Sequence, residues 1–270
     1  MTSNSATGAP IRILQLTDFH LLADPTHKMM GVNTEDTFIA TLDAASKQNS
    51  APDLLLLTGD LVQEAGADTY LRLRRHLERL DIPSFCLPGN HDDWSLMRGI
   101  LAAGKVSCEP GGAFGAWQVI CLDSTVPDNP GGFLDRSQLE LLESLLADQP
   151  EKFALVSLHH SPLPTGSGWL DTMRLANAEA FFSLLGRYPK VRGVVCGHVH
   201  QEFDQMQGNI RVMACPSTCF QFKPHSEQFA LDSLPSGYRW LDLYPNGVIG
   251  TGVERLLQAP AGLDLTSEGY

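Results

Sequence analysis

The sequence of 270 residues contains no long apolar run and no leader-like N-terminus. No stretch approaches the roughly 18 consecutive apolar residues that a membrane-spanning helix needs. The first ten residues are polar and uncharged, with neither the basic nor the apolar region of a secretory signal. These absences predict a cytoplasmic protein that does not contact a membrane. We expect residues 1–10 to form a disordered N-terminal tail.

Basic charge is also scarce. The chain has 19 Lys and Arg residues against 31 Asp and Glu residues, which gives a net charge of −12 with neutral histidines. A protein that coats nucleic acid depends on basic patches, so this balance argues against a nucleic-acid partner. It does not exclude an anionic substrate, because bound cations can reverse the local field.

The six cysteines do not form one of the usual metal or redox pairs. Cys86, Cys121 and Cys196 lie in or beside apolar runs, where a thiol behaves as a small apolar side chain. Cys215 and Cys219 are separated by three residues, which is not the CxxC spacing. We therefore predict six reduced thiols.

Strand-like and helix-like segments alternate over most of the chain. Continuous apolar runs predict buried strands, and apolar residues at helical spacing predict the helices between them. The predicted strands cover 11–18, 53–61, 84–89, 117–125, 153–161 and 192–197, and the predicted helices cover 34–48, 67–80, 137–148 and 177–188. After residue 200 the pattern changes to short strands, with a hairpin turn at 245–247. This predicts one α/β domain over 11–256, followed by a C-terminal tail over 257–270.

Five of the predicted strands end in residues that commonly bind metals. In α/β sheets, binding sites gather where strands deliver their C-terminal ends. Any one of these residues could cap a strand or form a turn, but five such ends together favour a metal site. The residues are Asp18, His20, Asp60, Asn90, His91, His159, His160, His198 and His200.

The chemistry of these side chains restricts the metal. Carboxylates, an amide oxygen and imidazoles, with no evident thiolate, suit Mn, Fe or Zn better than Ca or Mg. Even without His91 and His160, seven candidate ligands exceed what one ion takes, so we expect two ions that share a bridging carboxylate. Two ions about 3.5–4 Å apart can hold both the attacking and the leaving oxygen of a phosphoryl displacement.

Backbone geometry suggests which neighbours act together. In extended backbone, side chains two residues apart point the same way, so His198 and His200 could converge on one point. Adjacent side chains diverge in the same geometry. His91 is therefore expected to point away from the ion that Asn90 faces, and His160 is expected not to be a metal ligand.

Taken in order, the motifs D-x-H, G-D, G-N-H-D, H-H and G-H-V-H resemble the calcineurin-type metallophosphoesterase superfamily over residues 13–200. Three further stretches are similar to the bacterial class III 3′,5′-cyclic-AMP phosphodiesterases: LDSTVPDNPGGFLDRSQLELLE, HHSPLPTGSGWLD and ACPSTCFQFKPHSEQF. The resemblance implies an α/β fold, a four-layer α/β/β/α sandwich of two mixed sheets.

The same resemblance implies a role for each residue. It assigns the first metal to Asp18, His20 and His200, the second to Asn90, His159 and His198, and the bridge between them to Asp60. It leaves His91 outside the metals, in contact with the phosphate. The catalytic residues would be Asp60 and His91, and the substrate-binding residues His20, Asp60, Asn90, His91 and His200. The two transition-metal ions would be Fe or Mn, with Zn as an alternative.

The implied reaction is hydrolysis of 3′,5′-cyclic AMP to 5′-AMP by a hydroxide that bridges the two metals. His91 would donate a hydrogen bond or a proton to the leaving oxygen. Asp92 or Asp93 could orient that imidazole, although Asp92 could equally be a turn cap. Glycerophosphodiesters, 2′,3′-cyclic nucleotides and nucleotide anhydrides stay open as substrates. A non-catalytic binding module is disfavoured, because no ligand and no motif histidine is missing.

Overall fold

The computed structural model describes residues 8–47 and 51–269. The strands, in chain order, are β1 (Ile11–Leu16), β2 (Leu54–Thr58), β3 (Ser84–Leu87), β4 (Val106–Ser107), β5 (Gly111–Phe114), β6 (Trp117–Cys121), β7 (Phe153–Ser157), β8 (Val191–Cys196), β9 (Phe203–Gln207), β10 (Ile210–Ala214), β11 (Gln221–Phe222), β12 (Leu231–Asp232), β13 (Gly237–Leu243) and β14 (Ile249–Arg255). The helices are α1 (Thr34–Ser46), α2 (Ala67–Glu78), α3 (Trp94–Leu101), α4 (Arg136–Asp148), α5 (Gly168–Asp171) and α6 (Ala178–Leu185).

Two mixed sheets of six strands form the centre of the molecule. The first has the order β14-β13-β1-β2-β3-β4, and the second has the order β5-β6-β7-β8-β10-β9. Strands β1 to β4 are parallel, as are β6, β7, β8 and β10, while β13, β14, β5 and β9 pair antiparallel. The parallel strands therefore deliver their C-terminal ends to a common edge of each sheet.

Both faces of the central strands are buried, which explains their continuous apolar sequences. Along β2, Leu54 and Leu56 pack between the two sheets, whereas Leu55 and Leu57 pack against α1, α2 and α3. The outer face of the second sheet packs in the same way against α4 and α6, through residues such as Phe181. The four-layer α/β/β/α sandwich is thereby confirmed.

The predicted elements are present, most of them with shorter limits, whereas α4 begins one residue earlier than predicted and β8 is shifted by one residue. Each strand stops before its predicted end, because the residues that follow leave the sheet to form loops at its edge. The hairpin turn is confirmed, since the Gly247 N–H donates to the Tyr244 carbonyl at 2.9 Å between β13 and β14. The sequence analysis did not predict α3, α5, β4, β5, β11 or β12, all of which are short.

Some predictions concern the ends of the chain. Residues 1–7, 48–50 and 270 lie outside the described residues, so most of the predicted N-terminal tail and the end of the predicted helix 34–48 are not described. The predicted C-terminal tail, residues 257–270, contacts the rest of the chain through the Asp264 N–H, which donates to the Met30 carbonyl at 2.9 Å. The domain limits stay a prediction.

Two other expectations can be compared with the structure. All six cysteines are free thiols, and all six are buried. Within residues 8–47 and 51–269, no helix has the length and apolar character needed to cross a membrane. The cytoplasmic location stays a prediction.

Gly197, between β8 and the loop that follows it, is expected to tolerate no side chain. A Cβ there would lie 2.2 Å from Thr17 Oγ1 and 2.7 Å from the Thr58 carbonyl oxygen. Gly197→Ala should therefore lower the free energy of unfolding by about 1–3 kcal/mol. Gly99→Ala in α3 is the matched control, because a Cβ there meets nothing within 4 Å. That change should stabilise the protein by about 0.5–1 kcal/mol. Urea unfolding of both variants checks the opposite signs, and a neutral Gly197→Ala would contradict this packing.

Candidate metal centre

The five strand ends that carry potential ligands meet at one place between the sheets. The loops after β1 and β2 are tied together, since the Asp18 N–H donates to the Gly59 carbonyl and the His20 N–H to the Asp60 carbonyl, each at 3.0 Å. The two sheets are joined at the same point, where the His198 N–H donates to both carboxylate oxygens of Asp18 at 3.1 Å. The fold therefore brings into contact residues that are 180 positions apart in the chain.

Potential ligand atoms in this cluster lie close to one another. His200 Nε2 is 3.4 Å from Asp18 Oδ1 and 3.2 Å from His20 Nε2. Asp60 Oδ2 lies 3.2 Å from His159 Nε2 and 3.7 Å from His20 Nε2. Two ligand atoms bonded at about 2.1 Å to one ion are about 3.0–3.4 Å apart at octahedral or tetrahedral angles. Most of these separations fall at or near that range. Asp60 has neighbours on both sides, as a bridging ligand requires.

The histidine rings are oriented by acceptors outside the cluster. In each case Nδ1–H donates to an oxygen, which leaves the Nε2 lone pair facing inward, as is usual for metal-binding imidazoles. The pairs are His20 with Gln63 Oε1 at 2.7 Å, His159 with the Thr58 carbonyl at 2.8 Å, and His200 with the Phe220 carbonyl at 2.8 Å. The facing lone pairs of His20 and His200 need a positive charge between them, either a proton or a metal ion.

Three buried atoms of the cluster lack hydrogen-bond partners. Among the described residues, Asn90 Oδ1 and His198 Nε2 make no hydrogen bond, and His159 Nε2 makes none in the tautomer that donates through Nδ1, although Asp60 Oδ2 lies 3.2 Å away. Leaving a buried polar atom unsatisfied costs about 1–3 kcal/mol, so such atoms normally have a partner. These three residues are the ones that the resemblance assigned to the second metal. The donor set therefore fits a cation at this position.

Electrostatics in the cluster favours cation binding. Burial lowers the pKa of His20 and of His198 to about 3, which keeps both rings neutral. Although burial opposes it, the Asp60 carboxylate raises the pKa of His159 to about 9, and Asp18 likewise raises that of His200 to about 10. The carboxylates thus attract protons onto neighbouring rings when no cation is bound, and a metal would replace those protons.

The backbone of the site differs from the prediction. His198 and His200 are left-handed, with φ of 68° and 47°, so the expectation of extended backbone is wrong there. Asp18, His20 and Asp60 are also left-handed, with φ of 54°, 47° and 50°. Such conformations cost about 1–3 kcal/mol each and concentrate at functional sites, where the surrounding fold enforces them.

Gln63 orients His91, and Asp92 has a different role. His91 Nδ1–H donates to the Gln63 carbonyl at 3.1 Å. The Asp92 carboxylate accepts from the N–H groups of Gly89 and Leu61 and from the Tyr70 hydroxyl, at 2.9, 3.1 and 2.9 Å. These contacts are those of the turn cap, one of the two interpretations left open for Asp92.

The two remaining polar neighbours are also structural. Asp93 caps α3, because its carboxylate accepts from the Leu96 N–H at 2.9 Å. A ring nitrogen of His160 lies within 4.8 Å of ligand atoms of His159 and His198, but both of its ring nitrogens have hydrogen-bond partners in the loop after β6. The Ser124 hydroxyl donates to Nδ1 at 2.8 Å, and Nε2–H donates to the Pro130 carbonyl at 3.2 Å. These contacts agree with the expectation that His160 is not a metal ligand.

A pocket of about 510 Å³ opens beside the cluster. Its lining includes Asn90, His91 and His198 of the cluster and the aromatic side chains of Trp169, Phe222 and Phe229. Residues 128–130, Leu170, Met173 and Gly269 also line it. The three stretches that resemble class III phosphodiesterases thus meet around one cavity. No independent signal in the sequence marked Trp169, Phe222 and Phe229 as pocket residues, because their types are those of an ordinary core.

Gln63 is a site residue that the sequence did not indicate. Its side chain is partly exposed and accepts from His20 Nδ1, so Gln63→Ala should release that imidazole without disturbing the core. Loss of such an outer contact typically weakens metal binding or activity by about 10- to 100-fold. Gln63→Glu keeps an acceptor and is the matched control. Metal titration of both variants checks the effect, and equal affinity in Gln63→Ala and the parent protein would contradict the role.

The four-layer sandwich and its Asp, Asn and His cluster define a hydrolase of the metal-dependent phosphoesterase class. The chain belongs to the calcineurin-like phosphoesterase family, whose sequence profile matches residues 11–202.

Individual relatives extend the likeness beyond that domain. The chain is 42% identical to the 3′,5′-cyclic adenosine monophosphate phosphodiesterase CpdA of Vibrio vulnificus, covering 100% of this chain and 98% of that protein. It is 40% identical to the protein of the same name from Escherichia coli K12, with the same coverage. Among solved structures, a dimetal phosphatase from Danio rerio superposes with a TM-score of 0.59 at 14% identity, over 90% of this chain and 98% of that one. That likeness shows the fold alone.

Proposed function

We propose that this protein hydrolyses 3′,5′-cyclic AMP to 5′-AMP at a two-metal centre. The observation that carries the proposal is the full-length similarity to two phosphodiesterases named for that substrate. The pocket beside the cluster supports it, because a phosphate at the metal end would leave the nucleoside in a cavity of about 510 Å³.

The proposed metal ligands are those that the resemblance implied. They are Asp18, His20 and His200 for one ion, Asn90, His159 and His198 for the other, and Asp60 for both. Transition metals suit this mixture of oxygen and nitrogen, and we propose Fe or Mn, with Zn as the alternative. When bound, the ions supply Lewis acidity toward the phosphoryl oxygens.

The residues of the chain would hold and protonate the substrate. His20, Asn90 and His200 lie where the phosphate would bind, and the negative charge of Asp60 keeps the cations in place. His91 lines the pocket, and its Nδ1–H is held by the Gln63 carbonyl, so Nε2 is the nitrogen that would serve the substrate. The oxygen of a water molecule would bond to phosphorus as the P–O3′ bond breaks, and His91 in its imidazolium form would give the Nε2 proton to the departing O3′ while Asn90 fixes the phosphate.

A substrate panel tests the proposal. Metal-loaded protein is assayed with 3′,5′-cyclic AMP, 3′,5′-cyclic GMP, 2′,3′-cyclic AMP and glycerophosphocholine, and kcat/KM is compared. We expect 3′,5′-cyclic AMP to give the highest value, with 5′-AMP as the product. A clear preference for glycerophosphocholine, with turnover of cyclic AMP near background, would favour a glycerophosphodiesterase instead. Absence of turnover on every substrate would favour a binding module.

A further inference from the structure

We propose that Trp169 is the base-binding residue of the pocket and that it holds the nucleotide base by stacking. This inference rests on the proposed function, since it identifies which part of the cyclic nucleotide lies away from the metals. The face of the pocket made by Trp169, Phe222 and Phe229 is called the aromatic wall.

The aromatic wall is joined directly to the predicted metal ligands. The Phe222 ring stacks on His200, with centroids 4.1 Å apart and an interplanar angle of 18°. Trp169 meets Phe222 edge to face at 4.9 Å and Phe229 at 5.2 Å. A ligand whose phosphate lies at the cluster therefore has this wall within reach of its other end.

Trp169 is held in place before any ligand binds. It lies in α5. The loop before α5 is held by the Asp171 carboxylate, which accepts from the Thr165 and Gly166 N–H groups at 2.7 and 3.0 Å. Gln201, the residue after His200, donates its side-chain amide to Ser167 Oγ at 3.3 Å. The position of α5 is thus coupled to the loop of the predicted ligands, which reduces the ordering cost on binding.

Packing, not hydrogen bonding, fixes the indole. Trp169 Nε1 is buried and makes no hydrogen bond to the described residues, although a buried indole N–H usually finds an acceptor. Its edge-to-face contacts with two phenylalanines are what set the ring plane. A large aromatic surface placed at a cavity without a polar partner is suited to stacking on a flat ring.

Polar side chains also line the pocket. Asp128 and Asn129 line it, and the loop is fixed by His160 through Pro130 and by the Gly131 N–H, which donates to Asn129 Oδ1 at 2.7 Å. A flat heterocycle with polar edges matches a lining that combines aromatic rings with polar side chains. The cavity of about 510 Å³ lies within the roughly 300–1,000 Å³ typical of small-molecule sites.

Kinetics of two Trp169 variants test the stacking. In Trp169→Ala, kcat/KM for 3′,5′-cyclic AMP should fall about 10- to 100-fold, because the free energy of base stacking is lost. Trp169→Phe should restore most of the loss. Methyl p-nitrophenyl phosphate, which has no base, should be hydrolysed by both variants nearly as fast as by the parent protein. Trp240→Ala, a half-buried tryptophan on β13, is the matched control and should leave the ratio of the two substrates unchanged.

A binding measurement separates this inference from the proposed reaction. Titration of metal-loaded protein with 5′-AMP should quench tryptophan fluorescence, and the quench should disappear in Trp169→Phe, although three of the four tryptophans remain. An equal quench in Trp169→Phe, or an equal kinetic defect of Trp169→Ala on both substrates, would overturn the base site. If cyclic AMP is not turned over at all while 5′-AMP still quenches through Trp169, the proposed reaction fails and the base site stands.

Discussion

Asp60→Ala is expected to lose most of its bound metal and to hydrolyse phosphodiesters at least about 10³-fold more slowly than the parent protein. The Asp60 carboxylate lies between two groups of potential ligands, 3.2 Å from His159 and 3.7 Å from His20. As the proposed bridge, Asp60 would supply one bond to each ion, so its removal would weaken both sites and leave two cations less screened from one another. No terminal ligand has both effects, so metal content should fall further than in a variant of Asp18 or His200.

Element analysis of the purified variants measures this effect. Asp242→Asn is the matched control, because Asp242 is another buried carboxylate of the same sheet, paired with Arg12 at 2.6 Å. That variant should lose stability and keep its metals. Asp60→Asn separates charge from shape, since the amide can still accept from the His91 N–H that now donates to Asp60 Oδ1 at 3.0 Å. Full metal occupancy in Asp60→Ala would show that Asp60 is not the bridge.

His91→Ala is expected to keep both metals and to lose turnover of 3′,5′-cyclic AMP by about 10²–10⁴-fold. The ring lines the pocket with Nδ1 held by the Gln63 carbonyl, so Nε2 is the nitrogen that would approach a leaving oxygen. The defect should shrink on bis(p-nitrophenyl) phosphate, because p-nitrophenolate leaves without protonation. The comparison therefore distinguishes a proton donor from a residue that only holds the phosphate.

The prediction for His91→Ala does not depend on extended backbone, since residues 90 and 91 form a turn. His91 also lies in a group with His20 and Asp60 whose ligand atoms are within 4.8 Å of one another. Metal analysis of His91→Ala is consequently decisive, since loss of metal would make His91 a ligand. An equal rate defect on both substrates would make it a phosphate-binding residue. His76→Ala is a matched control, as His76 pairs with Glu35 at 2.9 Å outside the cluster.

The meeting of several cluster residues could be predicted because it follows from the topology of the sheets. Parallel strands end at one edge, so the positions of β1 and β2 predict that Asp18 and Asp60 meet, whereas His159 follows β7 of the other sheet. The two-sided burial of β1 and β2 gives apolar runs that are readable without a structure. The order of strands across each sheet is set by long-range packing, and no local pattern encodes it.

The geometry of the site could not be predicted in the same way. Two of the three acceptors that orient the imidazoles are main-chain carbonyls, at Thr58 and Phe220, and a carbonyl has no sequence signature. Left-handed backbone at His198 and His200 is imposed by the surrounding fold against the preference of the residues. Trp169 and Phe222 belong to distant segments, and only their contact in the folded chain shows that they share a pocket.

The central claim is that hydrolysis of 3′,5′-cyclic AMP requires the cluster to hold two metal ions. The direct measurement is the rate of turnover as a function of metal content. Protein is stripped with a chelator, titrated with Mn or Fe, and assayed at each step. We predict no turnover in stripped protein and full turnover as the content approaches two ions per chain. Full turnover in protein shown by element analysis to hold no transition metal would contradict the claim.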